Sequence, residues 1–358
     1  MSVLWKKIKT STGKSTLEKM GPGDVTLERP TVLFLTGVST TMSQPQYVAG
    51  AISHVHDMID TGGANKSADT DVYAWSYKSK RSNFKSVFMY NALPDTYFSN
   101  HGRQFVYDFL LPHFAENIEF DKKGRLKSAD PIDVKEVAEK FRNLTLLAYS
   151  YGSVFSQEVY NAAYAVMQDI GYSEKNARFM LSRIHQVSLG AVSRPIKEKD
   201  RFTSICLVAT NDRVSNHKRR LYWSFKELSA AYTKTLKINK LSKRNWYISA
   251  PVQKDLWEQK QDPEGNIVMR NVVRPLFPKW WIRHSHHELP HYTTDQDESN
   301  QFAKMARFAL INCVNRKHSL LASEMIAPPK SLIGRDAKFD QECENYKKRI
   351  KKAMNPGK

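Results

Sequence analysis

The run Leu144-Thr145-Leu146-Leu147-Ala148-Tyr149-Ser150-Tyr151-Gly152-Ser153 carries a serine where an apolar stretch ends and a long stretch of helical spacing begins. A tight strand-to-helix turn drives such a side chain outward. It also sets the next backbone N–H at the positive end of a helix, where it can meet a developing oxyanion. Ser150 is therefore the candidate nucleophile and Tyr151 the candidate oxyanion donor. Ala148 and Gly152 are small at the two positions where a larger side chain would strike the strand or the helix. A second reactive cluster is Trp281-Ile282-Arg283-His284-Ser285-His286-His287-Glu288-Leu289-Pro290-His291, with four histidines in eight residues. These supply candidate imidazole bases and, with Glu288, candidate metal ligands. The letters His287-Glu288-Leu289-Pro290-His291 match H-E-x-x-H. A zinc site of that kind needs both histidines on one helical face, and Pro290 opposes a helix running through it. The expectation is no metal and no cofactor. His54 and His56 stand two apart on a helical stretch, point in different directions and read as surface residues.

The elements that must position these residues follow from apolar patterning. Short apolar runs at Thr31–Thr36, Val72–Tyr77, Leu144–Tyr149, Gln186–Val192 and Ser204–Thr210 predict buried strands. Helical spacing predicts helices over Gln46–Ile59, Gly102–Phe114, Pro131–Arg142, Ser153–Ile170, Ser173–Ile184 and Glu298–Cys313. Strands that alternate with helices and are near-continuously apolar make an α/β fold, with a mainly parallel sheet covered on both faces. Residues 1–30 read as a polar, basic lead-in with a short edge strand at Asp24–Glu28. Residues 31–330 read as the main domain. Within it, 213–279 form a basic insertion or lid with a helix near 217–236 and an apolar segment at 246–250. Residues 331–358 read as a charged tail.

Composition narrows the function classes. The 358 residues carry 55 Lys+Arg against 36 Asp+Glu, a formal charge of +19, with 41% hydrophobic residues. That is enough apolar material for a large core, and it excludes a wholly disordered or fibrous chain. The charge favours anionic surroundings: phospholipid, nucleic acid or acidic protein. No nucleic-acid motif is present, so that partner is disfavoured. Cys206, Cys313 and Cys343 are too scattered for a disulfide framework and fit a reducing compartment. No stretch has the 18 apolar residues that a membrane span requires. The basic start, Met1 to Lys9, is followed by no apolar core of a signal peptide. The expected location is the cytoplasm, with peripheral contact to an anionic membrane through the basic surface. Secretion would need a route without a signal peptide.

The segment around Ser150 resembles the nucleophile motif of the α/β-hydrolase superfamily, with Ala148 in place of the first glycine. The resemblance covers the order of elements over residues 30–315. It implies an α/β-hydrolase-like fold with a late insertion and an Asp/His pair acting on the serine. Gly37 would open the turn after the first strong strand, and Val38 would donate the second oxyanion N–H. Thr36 stands where the family has histidine, and Thr40, Thr41 and Ser43 follow in a polar loop. The acid would be Asp212, directly after Ile205 to Asn211. The base would be His287, three residues before Pro290, with His286 and His284 as alternatives. The implied activity is cleavage of a carboxylic ester or thioester, of a small-molecule or lipid-like acyl substrate, through an acyl-enzyme. Two other readings stay open: a catalytically inactive hydrolase-like binding protein, and a basic module that binds lipid or nucleic acid.

Overall fold

Alternate side chains of a strand face opposite sides of its sheet, and here both sides are buried. The computed structural model describes residues 3–9, 15–37, 45–60, 69–76, 89, 93, 96–192, 202–209, 237–240, 245–250, 257–261, 267–271, 289–293 and 301–314. Strands β1 (Val3–Lys9), β2 (Ser15–Met20), β3 (Thr31–Leu35) and β4 (Asp71–Ser76) open the chain. After them, β5 (Ala115–Phe120) and β6 (Leu126–Pro131) make a hairpin of their own. Next come β7 (Leu144–Tyr149), β8 (His185–Leu189) and β9 (Thr203–Ala209). Later strands are β10 (Lys237–Lys240), β11 (Asn245–Ala250) and the paired β12 (Trp257–Gln261) and β13 (Ile267–Asn271).

Nine of these strands form one sheet in the order β10-β11-β9-β8-β7-β3-β4-β1-β2. From β11 through β9, β8, β7 and β3 to β4 every pairing is parallel. The outer pairings, β10 with β11, β4 with β1 and β1 with β2, are antiparallel. The chain is thus an α/β protein with a mostly parallel central sheet, as the alternating pattern predicts.

Helices cover both faces. On one side lie α1 (Pro45–Asp60), α7 (Leu289–Thr293) and α8 (Gln301–Val314). They enclose Val32 and Phe34 of β3, Leu147 and Tyr149 of β7, and Val187 and Leu189 of β8. On the other side lies a helical run over 100–114, made of α2 (Asn100–Phe105), a π-helical stretch Val106–Leu110 and α3 (Leu111–Phe114). With it pack α4 (Val134–Phe141), α5 (Gly152–Asp169) and α6 (Glu174–Leu181). These enclose Leu33 and Leu35 of β3, Tyr73 and Trp75 of β4, and Leu146 and Ala148 of β7. Trp75 is the hinge of this core. Its ring meets Phe105 edge-on at 4.9 Å and Phe109 edge-on at 5.2 Å, and stacks on Phe155 at 6.1 Å, which locks β4, the 100–114 run and α5 together.

Local chemistry sets the ends of the helices. Asp133 caps α4 by accepting from the Lys135 and Glu136 amides at 2.9 and 3.2 Å. Ser173 caps α6 through the Asn176 amide at 3.3 Å. Pro131 therefore closes β6 instead of starting the helix, a correction to the expected Pro131–Arg142 span. The β5–β6 hairpin turns over Asp121-Lys122-Lys123-Gly124, where Gly124 takes φ 71° and Asp121 accepts from the Lys123 and Arg125 amides.

Two further corrections concern the sheet edges. Val3–Lys9 and Ser15–Met20, within the expected lead-in, pair antiparallel and add two strands to the sheet, and Asp24–Glu28 forms no strand. The Lys residues of β1 obscured its pattern, although Leu4 is buried against the core. Lys237–Lys240 and Asn245–Ala250, within the expected insertion, supply β10 and the parallel strand β11 to the main sheet. The expected helix near 217–236 and the tail 331–358 lie outside the described residues. Among the described residues, no helix is long and apolar enough to cross a membrane.

His113 on α3 is buried, and that burial, aided by nearby Lys140, pushes its pKa down to about 4 against an ordinary 6.5, with a Val25 backbone hydrogen bond opposing. The folded state keeps the ring neutral while the unfolded chain gains a proton below pH 6.5. This group should therefore remove ~3 kcal/mol of stability as pH falls from 6.5 to about 4, and nothing more below that. Denaturant unfolding across that range should show a shallower pH slope for His113→Gln than for the wild type.

Candidate active site

The order of the strands marks one crevice. From β3 the chain moves to β4 on one side, and from β7 it moves to β8 on the other. The carboxyl ends of β3 and β7 therefore flank a topological switch point, the place where open parallel sheets bind ligands. Register places Leu35 of β3 opposite Ala148 of β7, so Gly37 and Ser150, two residues further on, come side by side. A Cβ on Gly37 would sit 3.3 Å from the Ser150 Cβ and 3.2 Å from the Tyr149 ring.

Ser150 occupies the turn between β7 and α5 with φ 53°. A left-handed backbone costs an L-residue without a helping side chain roughly 1–2 kcal/mol, so its surroundings must impose it. Asn117, the other non-glycine residue at positive φ among those described, lies on the exposed β5–β6 hairpin, and asparagine tolerates that region. Ser150 is buried and held on both sides. Its N–H donates to the Leu189 carbonyl at 3.0 Å. Its carbonyl accepts from the Ser153 N–H at 3.1 Å and from the Ser153 hydroxyl at 2.7 Å.

The turn is as tight as the letters imply. A Cβ on Gly152 would lie 2.2 Å from the Leu35 carbonyl oxygen and 2.9 Å from its carbon. No side chain fits there, because the obstruction is backbone. Tyr151 is the N-cap residue of α5, with φ −58° and ψ −30°. Its amide opens the helix that runs from the turn, at the positive end of the dipole. Thr36 does not face the crevice as a free hydroxyl: it donates to the Trp75 carbonyl at 3.0 Å and fastens β3 to β4.

Of the predicted site residues, the structure brings together Ser150, Tyr151 and Gly37. Val38, Thr40, Thr41, Ser43, Asp212, His284, His286 and His287 lie outside the described residues. The neighbours of two of these segments are described. β9 ends at Ala209, three residues before Asp212. Helix α7 begins at Leu289, two residues after His287. This helix is seated at the carboxyl end of β8: the Tyr292 ring lies 3.1 Å from where a Cβ on Gly190 would be. Gly190 itself takes φ 56°, which favours glycine. Thr293 donates to the Leu289 carbonyl at 2.9 Å and hydrogen-bonds His54 Nε2 on α1. His54 is therefore a packing residue between helices, and not the plain surface residue expected of it. Pro290 falls in the first turn of α7, where proline is tolerated, so the helix starts inside the H-E-x-x-H letters.

The sequence reading missed the turn Leu189-Gly190-Ala191-Val192 after β8. It holds Ser150 through Leu189, Ser153 through the Val192 amide at 3.1 Å, and Tyr292 through Gly190. A glycine directly after a strand was the available signal. Among the described residues, no group of three His, Cys, Asp or Glu could hold a metal ion. Burial pushes the Cys313 thiol up to about 12, away from thiolate chemistry. No protein-family model matches the chain, and no curated protein resembles it significantly.

Gly152→Ala should lower the unfolding free energy by ~3 kcal/mol or more, because the methyl would overlap the Leu35 backbone. Gly50→Ala on α1, with open space around it, should instead raise it by roughly 0.5–1 kcal/mol. Parallel denaturant titrations of the two variants check the pair.

Proposed function

We propose that this chain is a serine hydrolase with an α/β-hydrolase-type site. It cleaves a carboxylic ester or thioester, of a lipid-like acyl compound, through an acyl-enzyme. The observation that carries this reading is the left-handed backbone of buried Ser150 at the carboxyl end of β7, beside the switch point and directly before α5. Strained backbone of that kind clusters at active sites, which supports the reading of Ser150 as the reacting group.

The chemistry assigns one role to each residue. His287 takes the Ser150 proton as the hydroxyl attacks the acyl carbonyl. Asp212 accepts a hydrogen bond from the other ring nitrogen and stabilises the imidazolium. The amides of Val38 and Tyr151 receive the oxyanion. Water activated by the same base then releases the acid. His286 and His284 are the substitutes for His287.

Chain connectivity supports the partners. Tyr292 is anchored beside Gly190, and Ser150 bonds the adjacent Leu189. Tyr292 lies five positions after His287, a span of at most ~18 Å. β9 lies next to β8 in the sheet and leads into Asp212 from the same edge. The formal charge of +19 suits an anionic membrane surface as the place where an acyl substrate is met. The site works in the cytoplasm or at such a surface.

A fluorophosphonate probe should label the wild-type chain and leave Ser150→Ala unlabelled, with both proteins giving the same circular dichroism. Turnover of a short acyl ester should fall by roughly 10⁴-fold or more in the variant. Equal labelling of the two proteins, or no labelling of either, would sink the proposal.

A further inference from the structure

The Ser153 side chain, one helical turn past Ser150, is fully buried and acts in two directions. Its hydroxyl donates to the Ser150 carbonyl at 2.7 Å and accepts the Val192 N–H at 3.1 Å. Donation back to a carbonyl three residues earlier is ordinary for a helical serine, and Ser156 does the same to the Ser153 carbonyl at 2.9 Å. The second bond is different, because it ties the start of α5 to the turn that leaves β8. That turn already holds Ser150 from the other side, through the Ser150 N–H and the Leu189 carbonyl at 3.0 Å.

A closed ring results. It runs from the Ser150 N–H to Leu189, along the chain to Val192, through the Val192 N–H to the Ser153 hydroxyl, and back to the Ser150 carbonyl. The N–H of residue 150 belongs to the peptide plane before its Cα and the C=O to the plane after it. The angle between those planes is what φ and ψ of Ser150 define. Holding both groups against one rigid turn therefore pins both dihedrals of the residue. The Cβ direction follows, and with it the arc open to the hydroxyl.

We propose that Ser153 is a positioning residue for the Ser150 nucleophile, its hydroxyl closing the hydrogen-bonded ring that keeps the serine in its left-handed conformation. The proposal rests on the reading of Ser150 as the nucleophile. A bond that merely satisfied the Val192 amide would matter for stability and not for reactivity, and Ser156 offers the comparison. It is equally buried, lies on the same helix and makes the same kind of back-bond, but it takes no part in the ring.

The test uses the full chain as wild type, Ser150→Ala, Ser153→Ala, Ser153→Cys and Ser156→Ala. Each is treated with a fluorophosphonate over a range of concentrations and followed by thermal melting. Ser153→Cys fills the site with a slightly larger side chain whose hydrogen-bonding group is weak and is read in the same way if the alanine variant does not fold. The expected result is a maximal labelling rate that falls roughly 10- to 100-fold in the Ser153 variants, with the half-saturating probe concentration within about twofold of wild type. Ser156→Ala should label at the wild-type rate. If the Ser153 variants label as fast as Ser156→Ala, Ser153 has no positioning role, while the nucleophile reading stands. If the wild type is not labelled at all, the nucleophile reading fails and takes this proposal with it.

Discussion

The close approach of α5 to β3 governs the rest of the structure. The Cα of Gly152 stands so near the Leu35 carbonyl that a methyl group would overlap it. Only two residues, Ser150 and Tyr151, separate the end of β7 from the start of α5. The chain must therefore reverse within those two, and the left-handed φ of Ser150 is how it does so. An unfavourable local conformation is held in place by a packed neighbour and by hydrogen bonds at both of the residue's backbone groups.

That helix is unusual in what it buries. Every residue from Gly152 to Ala163 is buried, so α5 has no solvent face over its first three turns. Its polar side chains are accordingly placed against specific partners. Gln157 donates to Gln186 at 2.7 Å, and Gln186 donates on to Ser188 at 2.6 Å, which ties the helix to β8. Asn161 donates to the Tyr97 carbonyl at 2.8 Å. The Glu158 carboxylate accepts from both the amide and the hydroxyl of Ser99. Apolar packing against Trp75 and Phe105 supplies the bulk of the attachment, while these polar links define one register for the helix. The turn at its start inherits that rigidity.

The central strands β3 and β7 were legible because they are buried on both faces and so read as nearly unbroken apolar runs, while β8 showed itself only through Val187 and Leu189 between buried polar residues. Helices α1, α5, α6 and α8 were legible within a few residues because their apolar spacing repeats over two or more turns. The edges were not. β1 sets half-buried Lys6 and Lys7 beside buried Leu4 and half-buried Trp5, one strand in from the edge at β2, so its letters read as polar and basic. β11 is apolar enough to notice at Trp246 to Ala250, but its place beside β9 depends on a parallel pairing at a distance along the chain. The hairpin of β5 and β6 escaped because its strands are largely exposed and their pattern is polar.

At the site, the sequence by itself determined the serine, the small residue after it and the helix that follows, because those are requirements of local geometry written in neighbouring letters. Tertiary structure alone decided what surrounds them. Gly37 reaches Ser150 only through the β3–β7 register. The turn at Leu189–Val192 reaches it only because β8 pairs with β7. Tyr292 joins them from 102 residues further along, through a glycine that leaves room for its ring. Residue type and spacing are local information. Which strand lies beside which is set by the burial of the whole sheet, and no short stretch of residues carries it.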